Sequence, residues 1–319
     1  NGDYLSLLAE KNKVNLEFEA SVGGGIPILR TLKDGLSTNK IHKVVGILNG
    51  TCNYILSEME ISKNSFKNVL KKAQSLGYAE PRNPKFDLNG YDTLAKVRIL
   101  SALAFNKKIS KNNCLMNGIE DIELEDIKMA DKLKYRIKLL GITEIVNNRI
   151  FERVHPCLIK KNNYIANING VMNAVILDGA PVGQSVLQGE GAGPGPTSSA
   201  LMSDLLSILR GNIKYPFGMP FNKRKKITSY DKNQYLNSLY LRFVVKDKPG
   251  VLSSITKIFA KNKISIRNLI QNPDRKNNIA SIIIITHQNL EKNYINLFKN
   301  LSKNKFIIKK PTFIRIENI

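Results

Sequence analysis

Residues 238–319 carry a hydrophobic rhythm that few folds can satisfy. "LYLRFVVKD" alternates like a half-buried strand, and "KPGVLSSITKIFAKN" repeats its apolar residues at helical spacing after a Pro-Gly opening. "ISIRNLIQ" and "NIASIIIIT" then read as strands, "LEKNYINLFKNLSK" as a second amphipathic helix and "FIIKKPTFIRIE" as a last strand. The order is βαββαβ, that of a ferredoxin-like sheet covered by two helices. No fixed-period repeat accompanies it.

Residues 1–212 follow another plan, an α/β alternation separated by loops rich in Gly, Pro and Asn. Helices are expected over Tyr4–Lys11, Ser65–Leu76, Thr93–Phe105, Glu125–Leu139 and Ser198–Leu209. Strands are expected over Val14–Val22, Lys43–Leu48, Ile150–His155 and Ala174–Leu177. The segment from Asn212 to Gln234 has little periodicity and a basic cluster, and reads as a linker. A helix and strand directly after Asn1 belong inside a fold, so a further N-terminal segment is expected to precede this residue.

Composition narrows the function. The formal net charge is +23, which by itself suggests nucleic acid or an acidic membrane. The lysines are nevertheless spread along the chain among Asn and Ile, with no Arg-rich stripe, no Trp and no RNP-like motif. Neither nucleic-acid binding nor membrane insertion is expected, since the longest apolar run, "IASIIIIT", has only strand length. Cys52, Cys114 and Cys157 are far apart and odd in number, which argues against a disulfide framework and for a reducing, cytoplasmic compartment. His42, His155 and His287 are equally scattered, and no Cys/His spacing suggests zinc; His155, before Pro156 at a strand end, reads as structural.

Three stretches could carry chemistry. "SVGGGIP" (Ser21–Pro27) and "GEGAGPGPTSSA" (Gly189–Ala200) suit close backbone approach to a ligand or ion, although neither fits the GxGxxG dinucleotide fingerprint. The second leads into a helix with Pro196 and an N-cap from Thr197 or Ser198. The third, "GYAEPRNPKFDLNGYDTLAKVRIL", sets Glu80, Asp87 and Asp92 in and after a proline-broken loop and places Lys96 one helical turn beyond Asp92. Gly77 reads as the residue that ends the preceding helix. Ile99, Leu100 and Leu103 share the Lys96 face, whereas Arg98 and Ser101 look solvent-directed. Such a lysine is partly desolvated beside an acid and can donate a proton to a developing alkoxide. The alternative is a surface Asp-Lys pair worth about 0.3–0.5 kcal/mol, and by spacing alone that pair is the commoner origin of such a pattern.

Taken together, "FEASVGGGIPI", "GILNGTCNYIL", "AQSLGYAEP", "DLNGYDTLAKVRILSALAF", "NAV" and "GEGAGPGPTSSALMSDLL" resemble homoserine dehydrogenase. The tail from Leu241 resembles the ACT domain that many of these enzymes carry, and the likeness runs through nearly the whole chain in the family's order. The resemblance implies an α/β protein in three parts: a Rossmann remnant at 1–20, a mixed-sheet α+β catalytic and dimerisation domain at 21–212, and, after a linker at 213–237, a ferredoxin-like ACT domain at 238–319. It implies NAD(P)-dependent interconversion of L-aspartate 4-semialdehyde and L-homoserine on the path to threonine, methionine and isoleucine. It places Lys96 as proton donor, Glu80 and Asp92 on the substrate's amino and hydroxyl groups with Asp87 in the same acidic wall, and Gly77 and Gly191 near the nicotinamide. "NGTCNYI", Asn49 to Ile55, matches a segment lining the substrate site. Backbone carbonyls of Glu19, Val22, Gly24 and Ile26 match a sodium-holding loop. With most of the Rossmann domain outside the sequence, the polypeptide alone is expected to bind NADPH poorly and to be inactive. Threonine is the expected effector, near "DKPGVL" (Asp247–Leu252), and a homodimer or tetramer is the expected assembly. Two competing readings, an amino-acid sensor without catalysis and a basic nucleic-acid-binding protein, leave the acidic loop and Lys96 without a role.

Overall fold

The computed structural model describes residues 1–109, 114–211, 214–274 and 277–319. Its helices are α1 (Gly2–Asn12), α2 (Ile28–Arg30), α3 (Gly50–Ser62), α4 (Phe66–Ser75), α5 (Lys85–Leu88), α6 (Tyr91–Ala104), α7 (Leu124–Lys132), α8 (Pro194–Leu209), α9 (Val251–Lys261) and α10 (Glu291–Leu301). Its strands are β1 (Lys40–Ile47), β2 (Leu115–Met116), β3 (Tyr135–Val146), β4 (Arg149–Lys160), β5 (Met172–Ala180), β6 (Gly183–Glu190), β7 (Leu236–Lys246), β8 (Ile266–Asp274), β9 (Ile279–Thr286), β10 (Asn289–Leu290) and β11 (Thr312–Ile316). The chain divides into two compact units. One holds residues 1–120, 138–155 and 164–230; the other holds 121–137, 156–163 and 231–319.

In the first unit the strand order is β6-β5-β1-β3-β4. β1 pairs antiparallel with both β3 and β5, and β5 with β6. β3 and β4 are joined by Asn147-Asn148, whose φ of 50° and 60° suit the tight turn of a two-residue hairpin. α6 lies close on this sheet. A Cβ at Gly141 of β3 would stand 2.4 Å from Val97 Cγ2, and the Ser101 hydroxyl is 2.9 Å from that of Thr143. Ser101 is therefore buried rather than solvent-directed, because a hydroxyl partner on the strand satisfies it there.

In the second unit the order is the end of β4, then β11-β7-β9-β8, with β10 beside β7. β11, β7, β9 and β8 are the fourth, first, third and second strands of the expected βαββαβ unit, and α9 and α10 supply its helices. Leu241 and Phe243 of β7, Ile282 and Ile284 of β9, Ile255 and Phe259 of α9 and Leu297 of α10 form its core. Ile283 and Ile285 are buried on the opposite face, which explains why this strand is apolar without alternation. On that face Asp126 of α7 accepts hydrogen bonds from Arg242 Nε at 2.7 Å and from the Tyr240 hydroxyl at 3.0 Å. The unit thus takes in more chain than 238–319.

Several local expectations are corrected. Residues 14–18 form no strand; Phe18 instead stacks on Phe217, ring centroids 5.2 Å apart, and the described residues offer that segment no ladder. The helix expected over Glu125–Leu139 stops at Lys132, where Lys134 turns left-handed (φ 66°) and β3 begins. α8 starts at Pro194 with Gly193 as its cap, not at Thr197 or Ser198, since prolines cost nothing where the first N–H groups have no helical partner. His155 lies within β4 rather than at its end, and α3, β3 and β6 were not foreseen. Residues 212 and 213, where the linker was placed, lie outside the described residues. The stretch that follows is packed: Arg224 is buried with its guanidinium over the Phe217 ring at 4.5 Å and the Phe221 ring at 5.0 Å.

Candidate active site

The site grows from the end of β1. Asn49 follows the strand in extended conformation and caps α3, its Oδ1 accepting from Cys52 N at 2.8 Å. Glycine is needed next, because a Cβ at Gly50 would lie 2.8 Å from the Val171 carbonyl oxygen. A short turn of helix, α5, carries Asp87. It is held from behind by Ile119 N, which donates to Leu88 O at 2.9 Å, and by Gly118, where a Cβ would meet that same oxygen at 2.3 Å. Gly90, with φ 85°, then turns the chain into α6, so that Asp92 falls in the first turn and Lys96 one turn later.

These elements bring Asp87, Asp92 and Lys96 together. Lys96 Nζ donates to Asp92 Oδ2 at 2.8 Å and to the Leu48 carbonyl at 2.9 Å. An ammonium has three N–H bonds, so one remains for a further acceptor. Asn49 Nδ2 donates to Asp87 Oδ1 at 2.8 Å and to Asp92 Oδ2 at 2.9 Å. The Lys96 and Asp92 side chains are 19% and 22% exposed, sheltered enough to strengthen the pair and open enough to meet a small molecule. Burial pushes the Asp87 carboxyl above its ordinary range; the Asn49 hydrogen bond opposes this, the Asp92 charge adds to it, Lys96 opposes it and Glu80 adds to it. Burial, reinforced by the Asp87 and Asp92 charges, also pushes the Cys52 thiol well up, so this cysteine is no nucleophile.

Glu80 stands outside the hydrogen-bonded cluster. It is exposed, and only its carbonyl is tied, accepting from Gln74 Nε2 at 3.2 Å. Its loop begins at Gly77 (φ 76°), which ends α4 as expected. Gly77 N donates to Gln74 O at 3.1 Å and Tyr78 N to Ala73 O at 2.9 Å. Thr51 Oγ1 donates to the Tyr78 carbonyl and fastens this loop to α3. A Cβ at Gly77 would meet nothing within 4 Å, so the backbone here is open to a flat ligand.

The two glycine stretches pack on each other. Gly25 N donates to Glu190 O at 3.1 Å, and a Cβ at Gly24 would stand 2.5 Å from the Gly191 carbonyl. On Gly191 a Cβ would meet the Asn173 amide at 2.1 Å, and that buried amide has no hydrogen-bond partner among the described residues. Glu19 sits beneath the first stretch, its carboxylate accepting from Leu29 N at 2.8 Å and Arg30 N at 2.9 Å, with burial raising its pKa. The Glu19 carbonyl takes a long bond from Val22 N (3.4 Å) and that of Ile26 one from Ile28 N (2.7 Å). The carbonyls of Val22 and Gly24 accept none among the described residues.

Sequence reasoning missed the bridging amide of Asn49 and the Leu48 carbonyl. Two signals pointed to this residue: the resemblance of Asn49–Ile55 to a segment lining the substrate site, and an Asn-Gly pair just after an apolar strand, an N-cap pattern; neither gave the bridging role. A backbone carbonyl leaves no signal.

Residues 27–206 match the family described as Homoserine dehydrogenase, and residues 239–301 match the ACT domain. The chain belongs to the homoserine dehydrogenase family. The homoserine dehydrogenase of Neisseria gonorrhoeae is 39% identical over 325 residues, covering 100% of this chain and 74% of the relative. That of Helicobacter pylori is 43% identical over 301 residues, covering 94% of this chain and 71% of the relative. The crystal structure of a homoserine dehydrogenase from Thiobacillus denitrificans matches with a TM-score of 0.89 at 38% identity, over 99% of this chain and 73% of that one. As a homoserine dehydrogenase the protein is an oxidoreductase acting on a CH–OH group with NAD(P), interconverting L-homoserine and L-aspartate 4-semialdehyde, and it carries a C-terminal ACT regulatory domain. No helix among the described residues is long and apolar enough to cross a membrane.

Proposed function

We propose that Lys96 is the proton donor of homoserine dehydrogenation in its reductive direction, and that Asp87, Asp92 and Glu80 hold the substrate around it. One observation carries the reading: Lys96 Nζ is fixed by two acceptors, Leu48 O and Asp92 Oδ2, and keeps a third N–H to offer. When the aldehyde carbon is reduced, its oxygen gathers negative charge and takes a proton from the Lys96 ammonium, becoming the hydroxyl of homoserine. In the oxidative direction the neutral amine takes that proton back. Asp87, half-buried and not paired with Lys96, suits the substrate ammonium. Glu80, at the rim, adds charge to the same wall. Bound NAD(P) supplies the hydride chemistry at the reacting carbon. Gly77, open where a side chain would stand, and Gly191 are the positions proposed to face it.

Replacing Lys96 by Ala in the full-length enzyme is expected to lower kcat by about 10²–10⁴-fold, the usual worth of a general acid, while the fold persists. Turnover within a few-fold of the parent, with unchanged melting, would remove Lys96 from this role.

The carbonyls of Glu19, Val22, Gly24 and Ile26 are the proposed sodium ligands, oxygen donors of the kind a hard cation takes, and those of Val22 and Gly24 accept no hydrogen bond among the described residues. The ACT turn at Asp247–Leu252, where Gly250 (φ 87°) opens α9, is the proposed threonine site, and a cytoplasmic homodimer or tetramer is the proposed assembly. Exchange of sodium for tetramethylammonium, and addition of threonine, are each expected to change the rate. An unmoved rate removes the corresponding ligand, and a monomer mass in solution removes the assembly.

A further inference from the structure

We infer that Asn49 is a positioning residue of the reaction: one amide group sets the spacing of the two aspartates that the substrate and Lys96 use. The inference rests on the reading of Asp87, Asp92 and Lys96 as the substrate site.

Asn49 is buried, and its amide is spent completely. Its oxygen can only accept, and it accepts from the Cys52 N–H. This fixes the orientation of the amide, so the nitrogen faces the acids. Its two N–H bonds go to Asp87 Oδ1 and Asp92 Oδ2. Two carboxylates that share one donor, at 2.8 and 2.9 Å, stand close enough to repel each other, and without that donor they would turn apart. A neutral donor shared between them offsets the repulsion without cancelling the charge that an ammonium substrate needs. Lys96 cannot serve in its place, because it reaches Asp92 and the Leu48 carbonyl but makes no hydrogen bond to Asp87.

The arrangement also links three elements. Leu48 and Asn49 are consecutive, so the residue pair after β1 holds both Lys96, through a carbonyl, and the aspartates, through a side chain. The same side chain caps α3. The groups that set the charge here are Asp87 of α5, Asp92 and Lys96 of α6, Glu80 of the neighbouring loop, and Glu120, which acts with them on Cys52.

Capping and bridging separate by mutation. Serine and aspartate both cap helices well. Serine is too short to span two carboxylates, and aspartate offers them no donor and adds a third charge. In the full-length enzyme, Asn49→Ser is expected to keep the cap and melt near the parent and Asn49→Asp to melt lower because it adds a third charge, and both are expected to lose about tenfold or more in kcat/KM for homoserine, as misplacement of reacting groups does. The acid limb of the kcat/KM profile should move to higher pH, because the Asn49 N–H that lowers the Asp87 pKa is gone, and further for Asn49→Asp. A role in capping alone predicts loss of melting temperature with the limb unmoved. That result overturns the inference, as do parental kinetics in both variants, or failure of both to fold. Lys96→Ala run beside them separates the two levels. If it stays active, the site reading has failed. If it is inactive while the Asn49 variants match the parent, only the assignment to Asn49 falls.

Discussion

At Asp87 function and stability pull in opposite directions. The carboxylate is half-buried and its pKa is raised chiefly by burial, so the folded state favours its protonated form more than the unfolded state does. The sign follows: ionised Asp87 costs stability at neutral pH, and the cost disappears as pH falls through the carboxylate range. Asp87→Asn keeps an oxygen for Asn49 Nδ2 and removes the charge. It is expected to raise the melting temperature at neutral pH, with the gain shrinking toward acid, while KM for homoserine rises at least about tenfold through loss of a charge-assisted bond. Parallel melting curves and Michaelis constants of the two proteins check both halves; a variant less stable than the parent at neutral pH would show that Asp87 is held by favourable pairing instead. Much of this site was legible: i,i+4 spacing put Asp92 against Lys96, and the pair is there. What spacing could not supply was Asn49, which is 38 residues from Asp87 and 43 from Asp92 and meets them only after α3, α5 and α6 have folded together.

At the scale of elements, the site depends on how closely α6 lies on the sheet. Gly141 makes this approach possible, because a Cβ there would stand 2.4 Å from Val97 and 2.9 Å from Thr93, both on α6 between or beside the site residues. Neither methyl is the end of a flexible chain, so Gly141→Ala must lift the helix. The expected cost is about 1–3 kcal/mol of stability, as for other overpacked cores, with a fall in kcat because Lys96 moves with α6. Adding Val97→Ala should restore part of both, since it removes the nearer clash; a single variant with the parent's melting and turnover would refute the argument. Local patterning found α1, α4, α6, β1, β4 and β5, although of these α4 alone is strongly one-sided and β4 is buried on both faces. It missed α3, which is buried nearly all round from Cys52 to Ser57 and so shows little helical asymmetry. It ran α7 on into β3 because "KLKYRIKLL" satisfies both periods, and only the left-handed Lys134 and pairing with β1 decide.

At the scale of the molecule, the ferredoxin-like order was legible in the sequence, but the segments that pack with it were not. Its strands and helices are local patterns, whereas its completion by residues 121–137 and 156–163 is a matter of long-range packing. Asp126 of α7 is fully buried and receives Arg242 Nε and Nη2 at 2.7 and 2.9 Å, and Arg242 Nη2 also donates to Thr312 at 3.1 Å. The pair joins a segment near the middle of the chain to the first strand of the ACT domain. Removing Arg242 leaves the buried Asp126 carboxylate uncompensated and costs about 3–5 kcal/mol, whereas removing Asp126 leaves Arg242 with Glu123 at 3.1 Å. Ending the chain after residue 237 is therefore expected to strip Asp126 of Tyr240 and Arg242 and to give a poorly soluble product with a melting temperature well below the parent's. The separate piece 238–319 suffers the complementary loss, an Arg242 without its carboxylate. Arg242→Met with Asp126→Leu in the intact chain removes both charges at once and is expected to melt above either single variant. Truncation at 237 yielding a soluble protein that melts and turns over like the parent would show that the ACT segment is separable and that the Asp126–Arg242 pair does not hold the second unit together.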